Sequence, residues 1–142
     1  MKRLVLLLVV AATAIAAAAT SAAASKEPVR FDFDKSISDP VGLVWRGSVS
    51  GDASGELTTR LTDLRIAGPV WHVRFDWIIA AGTRSFVADL TGTLNTDTGQ
   101  VVMNGVVVEG WLRGAQVHEE GQLVDATTLR FIGAIRVMPA SV

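Results

Sequence analysis

The chain has no cysteine and no tyrosine, carries no surplus of positive charge, and contains no segment with a helical hydrophobic period. Without cysteine there is no disulfide framework, no lipid-modified N-terminal cysteine, no thiol nucleophile and no thiolate metal site. A small domain of this kind must close a hydrophobic core unaided. Heptads, low-complexity tracts and repeats of solenoid length are also absent, as are a G-x-G-x-x-G turn and a P-loop. Ser48, Ser50, Ser54 and Ser85 lack the G-x-S-x-G setting of a nucleophilic serine. Asn95-Thr-Asp-Thr-Gly99 opens like a calcium loop but lacks the later acidic ligands and the closing Glu, so it reads as a hairpin turn. No cofactor and no metal are expected.

What is present begins with an export signal. Lys2 and Arg3 precede the apolar run Leu4 to Ala19, and Ala22-Ala-Ala24 supplies small residues for a signal peptidase. That run is shorter than the ~20 residues a spanning helix needs, which disfavours an uncleaved anchor. The sequence therefore predicts a signal peptide over 1–24, and a mature protein that is secreted or periplasmic and leaves the membrane after cleavage. Removing Lys2 and Arg3 reduces thirteen basic residues to eleven against fourteen acidic ones, a net charge near −3. Phosphate backbones need a basic surface, so nucleic acid is not an expected partner.

Residues 25–42, SKEPVRFDFDKSISDPVG, mix charge with Pro28 and Pro40 and read as an extended arm, with Phe31 and Phe33 able to contribute one edge strand. The folded domain is expected over 43–142. There, Trp45, Gly47 and Val49 alternate with polar residues, and Leu57, Thr59 and Leu61 continue the pattern. The phase then slips to Leu64 and Ile66, as a bulge near Thr62 or Asp63 would produce. Trp71, Val73, Phe75, Trp77 and Ile79 share one face of the clearest strand. Phe86 to Leu94 and Val102 to Val108 flank the 95–99 turn as a long hairpin. A strand from Ala115 to Val124 and another from Leu129 to Val137 complete the chain. Short connections between seven or eight strands favour an antiparallel meander. Gly47, Gly92, Gly105 and Gly133 inside strands suit the bends of a closed sheet, so a small up-and-down β-barrel is preferred to a two-sheet sandwich.

Asn104-Gly105, Gly110, Gly114-Ala115 and Phe131-Ile-Gly-Ala134 before a closing strand give the last third of the chain a likeness to known barrels. In these features it resembles the allene oxide cyclase and dirigent class. That resemblance implies an eight-stranded barrel whose interior takes a hydrophobic ligand or intermediate. It assigns no catalytic residue, because F-x-G-A lies at the end of this domain without the Gly that usually follows.

His72 shares a strand face with Arg74 and Asp76, an arrangement able to do acid-base work, but also that of a solvated outer face. In the His118-Glu119-Glu120 run only His118 and Glu120 share a side, too few for a metal. Trp45, Trp71, Trp77 and Trp111 are the aromatic feature that stands out beside the missing tyrosine; Trp71 and Trp77 belong to the core face. A ligand site is expected where Trp111 and Arg113 lie in the Gly110 to Gly114 corner, with Trp45, since an indole wall and one guanidinium suit an apolar ligand with a polar end. The function expected is non-catalytic binding of a small apolar ligand, or a structural role, with an isomerase or cyclase as the alternative. A side-chain-filled interior would favour structure, and a cavity holding an inward His72 or His118 would favour chemistry. Mass spectrometry of exported protein should find an N-terminus within a few residues of Ser25; retention of Met1 would overturn the cleavable signal.

Overall fold

A computed structural model describes residues 27–139, so the signal peptide expected over 1–24 lies outside the described residues. Eight strands follow in order: β1 Val29–Asp39, β2 Val44–Gly51, β3 Gly55–Ala67, β4 Val70–Ala80, β5 Phe86–Asn95, β6 Gln100–Gly110, β7 Gln116–Asp125 and β8 Arg130–Met138. The sole helical element among them is a single 3₁₀ turn, Gly82–Arg84. Each strand pairs antiparallel with its sequence neighbours and β1 pairs with β8, closing an up-and-down barrel rather than a sandwich.

The segment expected to be an arm is corrected by this closure. Phe31, Phe33 and Lys35 of β1 pair with Gly51, Val49 and Gly47 of β2 on one side and with Ile135, Gly133 and Phe131 of β8 on the other. The short apolar patch around Phe31 gives too little signal alone. It becomes a stave because only pairing on both edges satisfies its backbone and those of β2 and β8. The phase slip in β3 is a bulge between Leu61 and Asp63, after which Leu64 and Ile66 pair with Val73 and Trp71.

Most apolar side chains point inward, and every charged side chain of the strands except Lys35 and Glu119 stands outside the core. Phe31, Phe33, Val49, Leu57, Phe75, Trp77, Ile79, Leu90, Met103, Val117 and Ile135 form the buried core. Outside, Arg74 grips Asp89 and Arg130 grips Asp34, each through two hydrogen bonds between strands. This polarity is the reverse of a membrane-spanning barrel, whose outer band is apolar. Eight strands enclose a space that side chains can just fill or that can hold one small ligand.

Gly105 shows how the barrel curves. It lies opposite Leu90 and Val117, hence on the inner face, where a Cβ would run into the Asp89 carbonyl oxygen and the Leu90 side chain. The strands can cross so closely only without that carbon. The connections β1–β2, β3–β4, β5–β6 and β7–β8 gather at one end, called the mouth end, and the β2–β3, β4–β5 and β6–β7 connections at the other, the corner end. Gly105→Ala should lower stability by about 2–3 kcal/mol in urea denaturation, as overpacking against backbone does. Gly68→Ala, at φ +62 but in open space, should cost only about 1–2 kcal/mol, and a reversed order would contradict the crowding argument.

Candidate functional site

Alternation along β1 puts Phe31, Phe33 and Lys35 on the inner face, and alternation along β7 does the same for Val117, Glu119 and Gly121. Two ionisable side chains thus enter an otherwise apolar interior: Lys35 is 4% exposed and Glu119 1%, with Thr59 of β3 fully buried beside them. Burying a charge in such surroundings is costly unless it finds partners. The Lys35 ammonium donates one hydrogen bond, from Nζ to Thr59 Oγ1 at 3.1 Å. Its other contacts are aromatic faces: Nζ lies 4.4 Å from the Trp77 ring centre, 4.9 Å from Phe75, and 5.7 to 5.9 Å from Phe33, Trp45 and Phe131. Desolvated cation–π contacts of this kind are worth about 2 kcal/mol each at best, enough to hold the amine in place without a direct ion pair.

Glu119 is less well satisfied. Its Oε2 has no hydrogen-bond partner among the described residues, and the same is true of Trp77 Nε1. Gly121 keeps space for the carboxyl, since a Cβ there would come within 3.2 Å of Glu119 Oε1 and 3.1 Å of the Phe33 ring.

Lys35 and Glu119 line a cavity of about 180 Å³ whose walls are apolar, formed by Trp45, Trp71, Val73, Phe75, Val101 and Met103 among others. Leu43, Leu64 and Leu129 form its rim at the mouth end and are more than one-third exposed. Leu43 and Leu129 have φ of 56° and 48°, a left-handed backbone that costs a bulky residue roughly 1–2 kcal/mol. Hydrogen bonds hold both: the Leu61 amide donates to the Leu43 carbonyl at 3.0 Å, and Trp45 Nε1 donates to the Leu129 carbonyl at 3.0 Å. Strain of this sort is retained where the fold over-determines it, here with two leucines on the lip of the cavity.

The residues expected to form a ligand site are divided between the two ends. Trp45 lines the mouth cavity. Trp111 sits at the corner end, edge-on to Phe31 at 6.4 Å and tilted against Phe86 at 6.3 Å, with the Arg84 guanidinium 5.2 Å above its ring. Arg113 is exposed on the same corner, away from the mouth cavity. Neither histidine points inward. His72 lies opposite Arg65 and Thr93, and His118 contacts Asn104 at 2.7 Å and Glu120 at 3.2 Å on the outer surface. Among the described residues no three His, Cys, Asp or Glu side chains converge as a metal site.

Comparison with protein-family models, curated proteins and solved structures finds no match to this chain. The chemistry of the cavity must then be read from its own residues. The signal that could have found them is a charge standing in the apolar phase of a strand: Lys35 follows Phe31 and Phe33, and Glu119 follows Ala115 and Val117. Attention to neighbouring triplets such as His118-Glu119-Glu120 hides it.

Burial moves both groups toward their neutral forms. Desolvation lowers Lys35 from 10.5 to about 8, with the Glu119 charge opposing the fall, and raises Glu119 from 4.5 to about 7, with the Lys35 charge opposing the rise. The native state therefore binds the Glu119 proton more tightly than the unfolded chain does, so this group's stabilisation is full below pH 4.5 and is lost as pH rises to about 7. For Lys35 the unfolded chain takes the proton first, so stability climbs between about pH 8 and 10.5. Asp34 and Asp89, held below their ordinary 3.8 by hydrogen bonds from Arg130 and Arg74, titrate outside that range. Thermal unfolding should show a stability minimum at about pH 7 to 8. Glu119→Gln should flatten its acid limb and Lys35→Met its alkaline limb; a maximum there would contradict the burial of the pair.

Proposed function

We propose that this protein is an exported binding barrel that takes one small, largely apolar ligand through the mouth end, with the ligand's polar end against Lys35 and Glu119. The observation that carries this reading is the cavity of about 180 Å³ in which both charged side chains of the interior meet apolar walls. An apolar cavity of roughly 150 Å³ holds benzene, so the fit is one ring with a short substituent, or a short chain. Lys35 has donors left over after its bond to Thr59, and Glu119 Oε2 is unpartnered, so a carbonyl, hydroxyl or carboxyl would gain hydrogen bonds that the protein alone does not supply. The corner end, where Trp111 stacks among Phe31, Phe86 and Arg84, serves as the floor.

A second reading, an isomerase or cyclase of the kind the allene oxide cyclase resemblance implies, is favoured by one feature: an amine and a carboxyl facing the same cavity can exchange a proton with a bound ligand. Titration of benzyl alcohol and short-chain alcohols should perturb tryptophan fluorescence saturably, through Trp45 and Trp71. Val101→Trp, which fills the cavity, should weaken binding by at least about tenfold, equivalent to 1.4 kcal/mol, whereas Trp111→Phe should leave it unchanged. A loss with Trp111→Phe and none with Val101→Trp would move the site to the corner end. Ligand recovered unaltered supports binding alone, and conversion abolished by Glu119→Gln supports the cyclase.

A further inference from the structure

We propose that Lys35 is a carbonyl-attachment site, where its side-chain amine condenses with an aldehyde or ketone held in the mouth cavity to form an imine, with the Glu119 carboxyl handling the protons. The proposal rests on the binding reading above and names the ligand class.

The first support is residue choice. Beyond the expected signal peptide the chain has nine arginines and two lysines, Lys26 near the new N-terminus and Lys35, so that within the strands Lys35 is the one amine and every other fixed positive charge is a guanidinium. A guanidinium does not deprotonate in proteins, whereas an amine can become a nucleophile. Placement is the second support. Lys35 forms no ion pair among the described residues, keeps one hydrogen bond to Thr59 Oγ1, and lines the cavity. The only other buried ionisable side chain among the described residues is Glu119, on the same cavity wall set. Burial then holds the amine near 8, so at about pH 7.5 it is neutral roughly two-hundredfold more often than an ordinary lysine, each pKa unit being about a factor of ten. Lowering an amine by desolvation is a known route to a nucleophilic lysine.

The step balances without an oxidant or reductant. The Nζ lone pair attacks the carbonyl carbon, the C–N bond forms, and the carbonyl π electrons move to oxygen. That oxygen takes the proton of the Glu119 carboxyl, and the nitrogen then gives one of its protons to the resulting carboxylate, leaving a carbinolamine and a reprotonated Glu119. The same carboxyl protonates the hydroxyl, which departs as water as the nitrogen lone pair closes the C=N bond, and the remaining proton on nitrogen returns to the Glu119 carboxylate. One water is released and no charge is left over. If the nitrogen keeps its proton, the iminium stands where the ammonium stood, among the faces of Trp77, Phe75, Trp45, Phe33 and Phe131, with Glu119 as counter-ion. The aromatic cage suits a delocalised cation at least as well as an ammonium.

The test treats the folded protein with limiting benzaldehyde and sodium cyanoborohydride near pH 7.5 and maps the reduced adducts by peptide mass spectrometry. Toluene, of the same shape but without the carbonyl, serves as competitor and as a separate fluorescence ligand. The expected result is an adduct on Lys35 at least about tenfold above that on Lys26 or the terminal amine, suppressed by toluene and slowed severalfold by Glu119→Gln. In Lys35→Arg the specific adduct should vanish while toluene still binds. If toluene binds and Lys35 is labelled no more than Lys26, the imine is wrong and the binding reading stands. If neither toluene nor benzaldehyde perturbs the fluorescence and no Lys35 adduct forms, both are wrong. Should Lys35→Arg lose its β circular dichroism, the Lys35 to Lys26 ratio in the unaltered protein decides the matter alone.

Discussion

A single ammonium buried among aromatic rings sets the terms for the rest of this barrel. Lys35 is almost wholly buried, so its environment must supply most of what water would have supplied. It does so with one hydroxyl, Thr59, and with the faces of rings contributed by β1, β2, β4 and β8. Those strands hold the rings at the required distances only while the barrel is closed. The closing β1–β8 pairing is therefore also the assembly of the cage: it places Phe131 directly across from Lys35.

The carboxyl of Glu119 is the asymmetric partner. It is buried as deeply as Lys35 but has an unpartnered oxygen, and its charge and that of Lys35 oppose each other's drift toward neutrality only in part. A fully apolar interior would be easier to fold, as replacement of buried ion pairs by hydrophobic residues commonly demonstrates. The two groups also coincide with a region where the barrel is not filled, while the opposite end is packed with Phe31, Phe86 and Trp111. The unfilled space, the unpartnered Glu119 oxygen and two of the three non-glycine residues with left-handed backbone, Leu43 and Leu129, fall at the mouth end, while the third, Leu112, turns the chain at the corner end. The rules that favour stability are thus broken most where the cavity lies.

Alternation alone specified most of the architecture. A period of two forces successive side chains to opposite faces, so the core positions from Trp45 to Val137 and the β3 bulge follow from reading one residue at a time along a strand. Inward glycines such as Gly105 pointed to closure, because a flat sheet has no use for them. The same rule held the two buried charged residues in plain view, since Lys35 and Glu119 stand in apolar phase. What hid Lys35 was its setting, a charged, proline-flanked segment whose strand character depends on partners distant in the chain.

Sequence by itself determined the strand phase, the all-β class and the absence of thiol chemistry, because these are local consequences of residue type and spacing. Only the tertiary structure decided that β1 completes the barrel, that Lys35 and Glu119 face one cavity, and that Trp45 and Trp111 lie at opposite ends. Each of these depends on register and closure, which relate residues on different strands and leave no trace in the spacing within one.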